Sequence, residues 1–192
     1  SQTVLVHGKK PLPGIVASVP PHMLNSEDRK KYPTFDDMVV DVGLSAAEAA
    51  DLVRVGDLIT VDVPMVELQG GKVAAKAMDD RACVAAVTAC LNHLKGMRHQ
   101  WDVYATATVQ EETGLYGART AAYRIQPDIA IALDVTFAAQ PGVDSDTATD
   151  LGGGPGIGIG PNFHPGLYRK LKDVAEQNEI KVQDGIIPGA SG

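Results

Sequence analysis

Three acidic positions stand out as residues that could do chemistry together. Asp79 lies just before a long stretch of helical character. The pair Glu111-Glu112 follows a strand-like segment that ends at Val109. Asp134 closes the apolar run Ile129-Ala130-Ile131-Ala132-Leu133. Functional groups in open α/β sheets gather at the carboxyl ends of strands, and two of the three positions sit there directly. Each has a plainer reading alone: an Asp before a helix caps it, and a Glu pair after a strand lies in a solvated turn. Asp134 is harder to explain this way. A carboxylate at the margin of an apolar strand is costly to bury unpaired, and a cation offsets that cost. Two divalent ions ~3.5–4 Å apart call for a bridging carboxylate, further ligands on each ion, and a free carboxylate to take a proton from the bridging water. Neighbours such as Glu111 and Glu112 can divide ligation and general-base work between them.

These residues need elements to carry them. From 80 to 96, Ala82, Cys83, Ala86, Val87, Cys90, Leu91 and Leu94 recur at a helical period, and Gly96 is a natural stop. Residues 102–109 alternate loosely and read as a strand. Residues 115–125 read as a helix, 128–135 as a buried strand, and 140–156 as a Gly-, Asp- and Pro-rich loop. Residues 166–178 read as an amphipathic helix with Leu167, Leu171, Val174 and Ala175 inward. Helices alternating with strands predict an α/β layer arrangement. The earlier part is strand-rich: residues 4–6, 14–17, 38–43 and 58–63 read as strands, with a turn at 9–13 and a surface loop at 24–36. Its one helix spans 46–53, with Ser45 as N-cap and Glu48 at the capping-box spacing. A turn at Gly70-Gly71 precedes the change of texture. The expected domains are 1–72, β-rich, and 73–192, α/β.

Bulk properties narrow the partners. Hydrophobic residues are 44% and charged residues 21%, the balance of a chain with a core. A net charge of -7 argues against nucleic acid and anionic membranes, which call for basic patches. Cys83 and Cys90 are seven residues apart in a helical stretch, roughly 10 Å at the helical rise, beyond disulfide reach. They read as reduced core residues, and a cytoplasmic location is expected. No apolar run reaches membrane-spanning length, and no signal peptide is expected. Gly152-Gly153-Gly154-Pro155-Gly156 lacks the Gly-Lys-Ser/Thr ending of a phosphate loop and reads as a flexible loop near the site.

Read as strings, the acidic segments resemble the glutamyl/deblocking aminopeptidase family. Lys76-Ala77-Met78-Asp79-Asp80-Arg81-Ala82 resembles its Lys-x-x-Asp-Asp/Asn-Arg motif, and Val109-Gln110-Glu111-Glu112-Thr113-Gly114-Leu115-Tyr116-Gly117-Ala118 its Gln-Glu-Glu-x-Gly-x-x-Gly-Ala motif. Ala132-Leu133-Asp134-Val135-Thr136 resembles its Asp-Val-Thr strand end. Gly14-Ile15-Val16 and Pro20-Pro21-His22 resemble the lead-in to its β-rich domain. Asp79 to Glu112 and Glu112 to Asp134 span 33 and 22 residues, in the family's order. The likeness runs along essentially the whole chain.

The resemblance implies a zinc-aminopeptidase-like three-layer α/β core, truncated here, with a small barrel or PDZ-like β-rich dimerisation domain. It implies a metal-dependent aminopeptidase with two divalent ions, zinc or cobalt, acting on peptides and assembling as a dimer-built dodecamer. Asp79 would bridge the metals, Glu112 bind one and Asp134 the other, and Glu111 act as general base. Arg81 would hold the site through ion pairs. Asp80 has the least claim, because the family accepts Asn there.

The family also uses two histidines, one in a His-x-Asp motif upstream of the β-rich domain and one near the C-terminus. The chain reads as an internal piece of a longer protein, opening within the β-rich domain and closing at Pro188-Gly189-Ala190-Ser191-Gly192, where the family continues Thr-Asp-Ala. His7, His22, His93, His99 and His164 read as surface or structural, and none has ligand spacing to another. On that reading the chain by itself lacks a nitrogen donor for each metal and is expected to be inactive, with exposed edges and altered association. Two other functions stay open: an inactive fragment or paralogue with an assembly role, and a glycoside hydrolase using paired carboxylates. The lone Trp101 and the 5% aromatic content offer sugars few stacking platforms, which ranks the last reading lowest.

Overall fold

The computed structural model describes residues 2–189. The closing Ala190-Ser191-Gly192 string lies outside them. The chain divides into two compact units, Ser1–Met78 and Asp79–Gly192.

The first unit is built on an antiparallel sheet of four strands in the order β3-β2-β1-β4. β1 is Gln2–His7, β2 Pro11–Ser18, β3 Met38–Asp41 and β4 Ile59–Val61. Alternation decides which face is covered. Val4, Val6 and Leu12 are buried, and the register pairs Val6 with Leu12 and Val4 with Gly14. All four therefore stand on one face, as a period of two requires. Gly14 is needed there, because a Cβ would lie 2.7 Å from the Val40 side chain of the neighbouring strand.

Prolines 11 and 13 belong to β2 rather than to the expected turn at 9–13, which tightens to Gly8–Lys10. Alternate residues in an antiparallel ladder turn their N–H groups toward opposite neighbours. β3 pairs only with residues 15–18, so on that side of β2 the prolines leave no ladder bond unmade.

The helix α1, Ala46–Leu52, forms as its cap signal predicts, with Ser45 and Glu48 in a reciprocal capping box. Residues 24–36, expected as loop, contain single 3-10 turns at Asp28–Lys30 and from Phe35. β5, Val66–Leu68, and β6, Lys72–Ala74, make a separate hairpin around the Gly70-Gly71 turn. Among the described residues the strands form an open sheet and a hairpin, and no closed barrel is seen.

The second unit contains α2, Met78–Leu94; α3, Tyr116–Ile125; β7, Gly156–Ile159; α4, Pro165–Gln177; and β8, Gln183–Ile186. The helices fall where their periods place them, and Asp80, Cys83, Val87 and Leu94 form the half-buried stripe of α2. Cys83 and Cys90 are free. Cys90 is exposed, so only Cys83 has the sheltered position expected of both.

Two expected strands do not form. Residues 102–109 and 128–135 have no ladder, and Val103, Val109, Ile129, Ile131 and Leu133 are all exposed. A strand exists only where a neighbour takes its N–H and C=O groups, and among the described residues neither segment has such a neighbour. The pairing present is one the sequence reading lacked. β7 and β8 are parallel, and α4 is their crossover, as parallel strands require. The Gly-rich composition of β7 hid it. Phe163 lies over Gly158, where a Cβ would come within 2.6 Å of the ring. The molecule is therefore a mixed α/β protein, with less regular sheet in its second unit than the apolar runs suggest.

Candidate active site

The acidic residues of the second unit stand on three short irregular pieces of backbone. Asp79 (φ -83°, ψ 109°) and Asp80 (φ -115°, ψ 39°) depart from helical torsions at the start of α2. Asp80 Oδ1 accepts the Cys83 amide at 3.3 Å. The carboxylate expected to matter least is thus the one that caps the helix, as an Asp three residues before a free amide does. The spacing from Asp80 to Cys83 was the signal for this role.

Glu111 and Glu112 occupy a tight turn between Val109 and α3. The Gly114 and Leu115 amides donate to the Glu111 carbonyl at 3.0 and 3.1 Å, and the Gly117 amide donates to the Val109 carbonyl at 3.0 Å. A Cβ on Gly117 would sit 2.5 Å from both Val109 N and Val109 O, so the first turn of α3 approaches the end of the preceding segment only because residue 117 is glycine. Gln110 (φ 57°) and Leu115 (φ 60°) bracket the turn in the left-handed region, which costs a non-glycine residue roughly 1–2 kcal/mol. Such strain concentrates at functional sites. Asp134 follows the unpaired apolar segment, and its Oδ1 accepts the Val135 amide at 2.7 Å.

Electrostatics bring these pieces together. Glu111 is half-buried, and its carboxyl is raised above the ordinary range, first by burial and then by the charges of Glu112, Asp134, Asp79 and Asp80. The Cys83 thiol is pushed up to about 12, first by burial, then by its hydrogen bond to Asp80 and the charges of Asp80, Asp134 and Asp79. Like charges within reach of one another favour the protonated form. The residues read from sequence as general base and ligands therefore share one acidic field. Arg81, expected to hold the site through ion pairs, makes none among the described residues.

Oxygen donors of this kind suit a hard divalent cation, and the mutual repulsion is what such a cation would relieve. In kind, the donors fit. In arrangement they are open: among the described residues no three His, Cys, Asp or Glu side chains stand around one metal position. Three histidines have other tasks. His7 Nε2 is 2.9 Å from Thr60 Oγ1 across the sheet. His99 Nδ1 is 2.6 Å from the Trp101 carbonyl. His164 Nδ1 accepts the Gly166 and Leu167 amides and caps α4. His93 lies in the last turn of α2, where a basic group suits the helix dipole, and the His22 carbonyl accepts from Arg29.

Comparison with known proteins gives a consistent picture. The model of the M42 glutamyl aminopeptidase family matches residues 1–191. A lysyl aminopeptidase of Pyrococcus furiosus is 36% identical over 182 residues, which cover 93% of this chain and 52% of that protein. The crystal structure of a TET aminopeptidase from a marine-sediment thaumarchaeon superposes with a TM-score of 0.84 at 36% identity, over 99% of this chain and 56% of that one. The Pyrococcus horikoshii TET1 peptidase, which assembles into a tetrahedron or a large octahedral shell, gives 0.81 at 31% identity, over 99% and 58%. The chain spans about half the length of the curated relatives it matches.

Proposed function

Because the chain belongs to the M42 glutamyl aminopeptidase family, we propose that it is the central part of a metal-dependent enzyme that removes N-terminal residues from peptides. The observation that carries this reading is the family likeness over residues 1–191, which takes in the acidic strings around Asp79, Glu111-Glu112 and Asp134. Asp79, Glu112 and Asp134 would hold two divalent ions, with Asp79 shared between them. When bound, the ions would polarise the scissile carbonyl and make water a nucleophile near neutral pH. Glu111 takes the proton from the attacking water and returns it to the departing amine. A carboxyl raised by burial and like charges is suited to holding that proton. The surplus of negative charge also attracts the free α-amino group of a peptide.

The two families of contacts that the described residues lack, strand neighbours for 102–109 and 128–135 and nitrogen donors for the metals, are assigned to the remainder of a longer protein. There the two segments would become central strands of a three-layer core. Homo-oligomeric assembly, as in the TET1 peptidase, and a cytoplasmic location complete the proposal. No described helix is long and apolar enough to cross a membrane.

The test is hydrolysis of aminoacyl p-nitroanilides by the full gene product, with zinc or cobalt supplied. Glu111→Gln is expected to lower kcat by roughly 10²–10⁴, the range of a lost general base, while metal content is kept. A chelator is expected to abolish activity. Unchanged turnover in Glu111→Gln would refute the role, and chelator-resistant cleavage of a glycan would move the reading to glycoside hydrolysis. The 192-residue chain alone is expected to be inactive.

A further inference from the structure

We propose that Asp80 is the positioning residue of the acidic site, anchoring the start of α2 on Cys83 and thereby setting where Asp79 stands. This role rests on the reading of Asp79 as a metal ligand. The geometry separates two adjacent carboxylates into two tasks. The Asp80 side chain bends forward along the helix, and its Oδ1 accepts the Cys83 amide at 3.3 Å. Both residues are half-buried, whereas Asp79 is exposed.

The torsions place the helical ladder beyond both aspartates. The Asp79 carboxylate is therefore aimed by its own backbone, and that backbone is tied to α2 through the cap on the next residue. An N-cap side chain satisfies an amide that otherwise has no partner in the helix. Losing it frees the first turn to fray and lets Asp79 move relative to Glu111, Glu112 and Asp134. A ligand displaced by about 1 Å is a poor ligand, so the cap acts on the metal without touching it. What Asp80 supplies is an acceptor oxygen at the right reach, which the Asn amide oxygen also provides.

The test uses the full gene product and cobalt(II) as the probe, followed by visible absorption, with Asp79→Asn marking the signal that belongs to the site. Amide hydrogen exchange at Cys83 reads the cap independently of metal. Asp80→Ala is expected to speed exchange at Cys83 and weaken cobalt binding by about tenfold, the scale of a lost cap. Asp80→Asn should keep both near the wild-type values. Asp80→Ser, with a shorter capping oxygen, serves if the alanine variant does not fold, and should fall between them. Unchanged exchange in Asp80→Ala would overturn the cap. Faster exchange with an unchanged cobalt titration would overturn the positioning role. Asp80→Asn failing as Asp80→Ala does would show that charge rather than the cap matters, and overturn it too. A wild-type full gene product that takes up no cobalt would remove the metal reading of Asp79, and this role with it, while leaving the exchange result in place.

Discussion

The Tyr168 hydroxyl donates to Asp184 Oδ1 at 2.6 Å, joining α4 to β8 across sixteen residues of sequence. Lys172 reaches the same oxygen at 2.7 Å from the next turn of the helix. Together, Lys172 first and then Tyr168, they hold the Asp184 carboxyl below its ordinary range. A depressed carboxylate contributes stability that is present above its unfolded value, near 3.9, and is lost as pH falls through the folded value. Tyr168→Phe should therefore lower the melting temperature at pH 7 and do so less in strong acid, where Asp184 is protonated. Equal losses at both pH values, by calorimetry, would show that ring packing rather than the hydrogen bond is at stake.

Glu111 has the opposite sign. Its folded-state carboxyl is raised, so its contribution is fully present below the unfolded value near 4.3 and is lost as pH rises through the folded value. In the metal-free chain, Glu111→Gln should thus shift the urea midpoint upward at pH 7 and leave it nearly unchanged at about pH 4. A variant less stable than wild type at pH 7 would mean that Glu111 is not crowded by its acidic neighbours.

Zinc titration of the metal-free chain by calorimetry should show weak binding. Three carboxylates offer only oxygen donors, and each ion of the proposed pair would lack its imidazole. A tight two-site isotherm would sink the view that nitrogen donors come from elsewhere in the protein.

Gly117→Ala should destabilise the second unit by about 1–3 kcal/mol, the scale of overpacking at a site that cannot yield. The added Cβ meets backbone atoms of Val109 rather than the end of a flexible side chain. Because that contact also shapes the Glu111-Glu112 turn, the same substitution should lower peptidase activity in the full gene product. Unchanged stability by urea unfolding would mean that Val109 and Gly117 do not approach as described.

Ser45→Ala should cost about 1 kcal/mol at neutral pH, the usual value of an N-cap hydroxyl. Ser45 Oγ donates to Glu48 Oε2 at 2.7 Å, and the Ser45 amide reaches the same oxygen at 3.0 Å. These bonds, the hydroxyl's first, hold the Glu48 carboxyl below its ordinary range. The deficit should narrow as acid protonates Glu48, which paired thermal melts would reveal.

Much of this was legible in the residues because the forces involved act within a few positions of the chain. The helices α2, α3 and α4 follow from apolar periods, and the box at Ser45 follows from two side chains three residues apart. The family could be read from the strings around Asp79, Glu111 and Asp134, since short motifs are local as well.

Strands depend on something a sequence window does not contain, namely the partner. Apolar runs at 102–109 and 128–135 have strand character and no ladder among the described residues, whereas β7, rich in glycine, has a ladder because α4 returns β8 beside it. The four-stranded sheet of the first unit is open among the described residues for the same reason, since closure depends on which edges meet. Residue types and spacing alone therefore established the acidic character of the site. Which of Asp79 and Asp80 is tied to the Cys83 amide was decided only by the tertiary structure, because backbone torsions at the start of α2 determine which of two identical side chains can reach that amide.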